Sequence, residues 1–155
     1  MIKKIEKYYL FPSALFADKQ PHLVDTILGS CVAVCLHDQK LKIGGINHFM
    51  LPLWNGDGLA SPKYGNVAIE KLVENMFKMG ATKNTLIAKI FGGANQMMAS
   101  ISIGDRNIEV ARSQLAEYGI KIVAESVGGN IGRKIRFDTS TGQVLMKFLS
   151  KGAEK

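Results

Sequence analysis

Residues 25–52 read DTILGSCVAVCLHDQKLKIGGINHFMLP. Val32, Val34 and Leu36 alternate with Ala33, Cys35 and His37, and branched side chains are frequent. That alternation predicts a β-strand. Asp38-Gln39-Lys40-Leu41 is polar enough to turn, although no Asn-Gly or Asp-Gly hairpin signal is present. Lys42 to Leu51 then reads as the returning strand. Centring the hairpin between Gln39 and Lys40 sets Cys31 directly opposite His48. Opposed residues of an antiparallel pair have Cβ atoms about 4.5–5.5 Å apart, within reach of proton transfer from thiol to imidazole. An odd-length loop, or a bulge at Gly44-Gly45, would change this register.

Cys31 follows Gly29-Ser30. A nucleophile on a tight turn is exposed to substrate, and the neighbouring backbone N–H groups can face an oxyanion. The plain alternative is that Cys31 is a small buried apolar side chain, as most free cysteines are. Thr26, just ahead of the turn, can hydrogen-bond an imidazole, but a threonine here is also an ordinary strand residue. The chain's two cysteines, Cys31 and Cys35, do not form a disulfide framework and fit a reducing compartment. A zinc site from Cys31, Cys35, His37 and His48 matches no common spacing.

Outward from this stretch, Tyr8 to Phe16 reads as one or two strands broken near Pro12, and Leu23 to Leu28 as the strand leading into Gly29. Residues 54–65 (WNGDGLASPKYG) form a loop. Asn66 to Met79 is the clearest helix, with Ile69, Leu72, Val73, Met76 and Phe77 on one face. Asn66 is its expected cap and Gly80 its stop. Thr85 to Phe91 reads as a buried strand ending in Gly92-Gly93, which is neither a P-loop nor a dinucleotide fingerprint and suits close backbone packing. Asn107 to Tyr118 is a second helix, stopped by Gly119. Strands follow at Ile120 to Val127, Lys134 to Asp138 and Gln143 to Phe148, the last two as a hairpin. Arg133, Lys134 and Arg136 offer a contact for an acidic partner, with a solvated strand face as the preferred reading.

Several blocks carry a family resemblance. LGSCVAV with GGINHFMLP, Lys89 to Ala94 (KIFGGA), Ile103 to Asn107 (IGDRN) and Val127 to Thr139 (VGGNIGRKIRFDT) stand in order over roughly residues 10–148. Together they resemble the CheD family, the chemoreceptor glutamine deamidases of bacterial chemotaxis. The resemblance implies a layered β-sandwich with flanking helices, of mixed α/β class, related to cysteine deamidases of the cytotoxic necrotizing factor type. It implies Cys31 as nucleophile, His48 as base and Thr26 as the third member of the site. Gly29 and Ser30 would sit beside the oxyanion. No cofactor and no metal are expected. Its partners would be the cytoplasmic regions of methyl-accepting chemoreceptors, with the phosphatase CheC as a further partner in some systems.

Composition sets outer bounds. The chain has 155 residues, 46% hydrophobic and 21% charged, which fits one globular domain over residues 1–155. Ser150 to Lys155 reads as a frayed tail. The net charge of +7 favours acidic partners. No aromatic–basic motif points to nucleic acid. The N-terminal stretch lacks a cleavable-signal pattern, and no apolar run reaches the ~18 residues of a membrane span. The expected location is the cytoplasm. Two other readings stand beside the deamidase: a non-catalytic chemotaxis adaptor of the same fold, and a thiol hydrolase acting on small amides or peptides.

Overall fold

The computed structural model describes residues 4–149. The expected frayed tail, Ser150 to Lys155, lies outside the described residues. In chain order the elements are β1 (Glu6–Tyr9), β2 (Leu15–Asp18), β3 (His22–Leu28), β4 (Val32–Asp38), β5 (Ile43–Asn47), α1 (Gly65–Lys78), β6 (Leu86–Gly92), α2 (Ile103–Tyr118), β7 (Lys121–Val127), β8 (Arg133–Asp138) and β9 (Val144–Phe148). They form two sheets, ordered β1-β3-β8-β9 and β2-β5-β4-β6-β7. Both helices pack on one face of the five-stranded sheet. The four-stranded sheet covers its other face. This is the expected layered, helix-flanked sandwich.

The alternation read in residues 32–37 explains the layers. Every residue of β4 is buried, because the strand is central and both its faces are covered. Val32, Val34 and Leu36 join the core beneath the helices, with Ile69, Leu72, Met76, Ile108 and Leu115. Ala33 and Cys35 join the core between the sheets, with Val24, Leu28, Phe91, Ile135 and Phe137.

The β4–β5 hairpin forms, but its register differs from the expected one. Cys35 faces Ile46 and Leu36 faces Gly45, and beyond the strands Val32 pairs with Phe49. Cys31 is therefore diagonal to His48 rather than opposite it. The slip is two residues, an even number, so both stay on the same face. The cause is the turn. The loop spans residues 39–42, with Lys42 at φ 56°. Asp38 Oδ1 accepts from the Lys40 and Leu41 N–H groups at 2.9 Å each, and the Asp38 carbonyl accepts from Lys42 at 2.8 Å. Asp38 Oδ2 also accepts from Thr85 Oγ1. Asp38 is fully buried, so Asp38→Ala leaves several donors without a partner. The expected cost is about 3 kcal/mol, read as a lower denaturant midpoint at unchanged slope.

Other boundaries also moved. α1 starts at Gly65, and its N-cap is Tyr64 with no side-chain cap. Asn66 does not cap; its Oδ1 instead accepts from the Trp54 N–H at 3.0 Å. α2 begins at Ile103, four residues before the expected Asn107, because Ser102 and Asp105 form a capping box. Gly119 ends it in the left-handed conformation, φ 74°. Arg133, Lys134 and Arg136 do not form one cluster. Strand alternation turns Arg133 inward, where it is 3% exposed. Its Nη2 donates to Gly128 O at 2.9 Å, and its guanidinium lies 5.0 Å over the Phe148 ring. Arg136 instead pairs with Asp25 through two bonds, of 2.7 and 2.9 Å.

Candidate active site

Cys31 sits between β3 and β4, at the edge of the five-stranded sheet's inter-sheet face. Three consecutive carbonyls hold its turn. Gly29 O accepts from the Ala94 N–H and Cys31 O from the Gly93 N–H, each at 2.9 Å. Ser30 O accepts from Asn107 Nδ2 at 3.0 Å. Gly92-Gly93 can approach because Gly92 lacks a side chain. It sits at φ +107°, and a Cβ there would lie 2.2 Å from Cys31 O. This is the close backbone packing expected of the glycine pair. Cys31 is half-buried and free, whereas Cys35 is buried.

His48 lies just past β5 and is 2% exposed. Its Nδ1 is 2.7 Å from Thr26 Oγ1. Thr26, fully buried on β3, belongs to the other sheet, so this bond spans the inter-sheet core. The Thr26 hydroxyl donates to Leu10 O at 2.8 Å. A hydroxyl has one proton to give, so Thr26 must accept from the imidazole. His48 therefore carries its proton on Nδ1, and Nε2 presents a lone pair. Nε2 is buried and has no hydrogen-bond partner, the Cys31 sulfur included.

The structure thus brings Thr26 and His48 into contact and places Cys31 on the same face one diagonal step away. Gly29 and Ser30 form the turn itself. Asn107, a buried polar residue on α2 that the sequence analysis did not single out, also reaches this turn. One signal for it was available: Asn107 lies four residues before Ala111, on the apolar stripe of the helix. Among the described residues, no group of three or more His, Cys, Asp or Glu side chains is arranged to hold a metal.

Burial sets the charge state of the pair. It pushes the Cys31 thiol up, while the residue's own backbone N–H, as a hydrogen-bond donor, pulls less strongly the other way. Burial lowers His48 from 6.5 to about 4. The pair rests as neutral thiol and neutral imidazole. The sign for stability follows from linkage. Between pH 6.5 and about 4 the unfolded chain binds the His48 proton and the folded chain does not. This contribution is complete above pH 6.5 and lost as the pH falls through 4; its full size is about 3 kcal/mol. His37, also lowered by burial, adds to the same trend. The unfolding free energy should therefore fall from pH 7 to pH 4, and His48→Gln should flatten that slope. An unchanged slope in the variant would show that His48 titrates normally.

Two sheets with flanking helices thus carry a half-buried free cysteine on the same face as a buried Thr–His pair. The family model described as CheD chemotactic sensory transduction matches residues 50–148, a span that begins two residues after His48. A protein of Trichlorobacter lovleyi named "Probable chemoreceptor glutamine deamidase CheD" is 54% identical over 145 residues, covering 92% of this chain and 90% of its own. A Sulfurimonas denitrificans protein of the same name is 48% identical over 150 residues, covering 94% and 96%. One from Archaeoglobus fulgidus is 42% identical over 131 residues, covering 82% and 83%. This chain belongs to the CheD family. Among solved structures it resembles a Neisseria meningitidis protein of the DUF152 family, with a TM-score of 0.51 and 10% identity, over 82% of this chain and 65% of that one. At that identity the likeness concerns the fold. No helix among the described residues is long and apolar enough to cross a membrane.

Proposed function

We propose that this chain deamidates glutamine side chains in the cytoplasmic regions of chemoreceptors, with Cys31 as nucleophile and His48 as base. The carrying observation is the Thr26–His48 hydrogen bond. It fixes the tautomer that leaves Nε2 free as a base, on the face that holds Cys31. The names of the relatives supply the substrate class.

The chemistry follows from the neutral resting pair. As the Cys31 sulfur attacks the glutamine side-chain carbonyl carbon, its proton passes to His48 Nε2 and a C–S bond forms. The carbonyl oxygen takes up the negative charge and is held by the Ser30 and Cys31 N–H groups. His48 returns the proton to the departing nitrogen, the C–N bond breaks and ammonia leaves. Water, deprotonated by His48, then attacks the thioester. The C–S bond breaks, the thiol is restored and the side chain is now glutamate. Thr26 holds the imidazole in its working tautomer throughout, as the third group of a triad does. A CheC-type phosphatase would be a second partner, competing with the receptor for the enzyme.

Intact-mass analysis of purified receptor cytoplasmic fragments tests the activity. The fragment should gain the mass of amide-to-acid conversion and release one ammonia per event, in the cytoplasmic pH range. A fragment that binds the protein but gains no mass would point to the adaptor reading. Turnover of free glutamine or short amides without any receptor would point to the small-substrate hydrolase.

A further inference from the structure

We infer that Asn107 is the positioning residue that sets the direction of the oxyanion-binding turn, anchoring it to the chain segment that follows the histidine. This rests on the deamidase reading and adds to it a residue outside the Cys–His–Thr set. Asn107 lies in the second turn of α2 and is fully buried. Its Nδ2 donates to two carbonyls from different parts of the chain, Ser30 O at 3.0 Å and Met50 O at 3.1 Å. Ser30 immediately precedes the nucleophile. Met50 lies two residues after the base. One amide group therefore ties together both chain segments that carry the chemistry.

The grip on Ser30 has a directional consequence. In a planar trans peptide the N–H points opposite to the C=O. With Gly29 O drawn towards Ala94, and Ser30 O towards Asn107, the N–H groups of Ser30 and Cys31 are turned the other way. Neither donates to a backbone carbonyl among the described residues. With both N–H groups turned away from these carbonyl partners and free of backbone acceptors, the inferred role for them is an anion-binding concavity next to the nucleophile in the chain. Ala94 secures the first of these peptides through the backbone. The second, which bears the Cys31 N–H, is secured by a side chain and so is open to mutation.

The surroundings fit a residue held for position. α2 is brought close to the turn because Gly104 has no side chain; a Cβ there would lie 2.5 Å from Gly93 O and 2.6 Å from Ala94 O. That approach lets a side chain as short as asparagine reach both carbonyls. Asn107 Oδ1 is buried and has no partner, a cost that an apolar residue at this place would not incur. Both donor protons of the amide are directed at the two site segments.

The test compares wild type, Asn107→Ala, Asn107→Ser and Ala111→Gly. Ala111→Gly loosens the same helix at a buried position that is not part of the site. Each folded variant is assayed for receptor-fragment deamidation and for alkylation of Cys31 by iodoacetamide across pH. Alkylation forms no oxyanion, so it reports the thiol and base without the concavity. For Asn107→Ala, kcat should fall about 10²-fold or more, the scale of losing an oxyanion donor. KM and the alkylation profile should stay within about threefold. Asn107→Ser, which keeps a shorter donor, should fall between, and it carries the test by itself if the alanine variant does not fold. Ala111→Gly should keep wild-type kcat. A kcat within about threefold of wild type in either folded Asn107 variant would overturn the inference. So would an equal fall in alkylation and turnover, or the same loss in Ala111→Gly. If wild type itself leaves receptor glutamines intact, the deamidase reading fails first, and the two failures are told apart.

Discussion

Cys31→Ala is expected to lower receptor deamidation by about 10⁴-fold or more, the scale of removing a covalent nucleophile. Its partner experiment, Cys35→Ala, should keep kcat near wild type. The contrast separates the two cysteines on physical grounds. Both lie on the inter-sheet face, yet only Cys31 is partly open to solvent. Cys35 is 2% exposed within the core, and burial drives its thiol far from ionisation. Because Cys31 is only half-buried, alanine there removes little packing and the variant should fold as wild type does. Circular dichroism and the unfolding midpoint check this. Retained turnover in a folded Cys31→Ala would assign the chemistry elsewhere.

The second large effect concerns the base and its support. His48→Ala should cost about 10³-fold or more in kcat, because both the attack and the thioester hydrolysis pass a proton through Nε2. Thr26→Val keeps the β-branched shape but removes the acceptor for Nδ1–H and the donor to Leu10 O. It should lower kcat by about 10–100-fold, as the imidazole loses its fixed tautomer. It should also cost about 1–3 kcal/mol of stability through the unpaired buried groups. The two effects are coupled. In the His48→Ala background Thr26→Val should change kcat little, and a fully additive double variant would mean that Thr26 acts by some other route.

Much of the fold was legible in residues 32–37, where strict alternation carried through as two faces buried in two separate cores. The helices were legible from their apolar stripes and from Gly119. Elsewhere, several local signals competed. Asp38 looked like one of several polar turn residues, but its carboxylate closes a longer loop and sets the register two residues further on. Asn66 looked like a helix cap and is instead taken by the Trp54 backbone. The start of α2 lies at the Ser102–Asp105 capping box, and Gly104 within its first turn is required by the approach of the Gly93 and Ala94 carbonyls. Strand order was not readable, since β1 and β2 are neighbours in the chain yet join different sheets. For the same reason the place of Thr26 ahead of the turn offered it only as one candidate partner for an imidazole, beside its reading as an ordinary strand residue. Its hydrogen bond to His48 depends on how two sheets face one another, which no local periodicity encodes. Asn107 carried a fainter signal, a polar side chain within an apolar stripe.

The central claim is that Cys31 forms a thioester with a receptor glutamine. Rapid mixing with a receptor fragment, acid quenching and intact-mass analysis test it most directly. A transient species with the mass of enzyme plus fragment less one ammonia is expected. It should be cleaved by hydroxylamine, map to Cys31, and be absent with Cys31→Ala. Deamidation that proceeds at full rate with no such species across the pre-steady-state range, and no trapping by hydroxylamine, would contradict it.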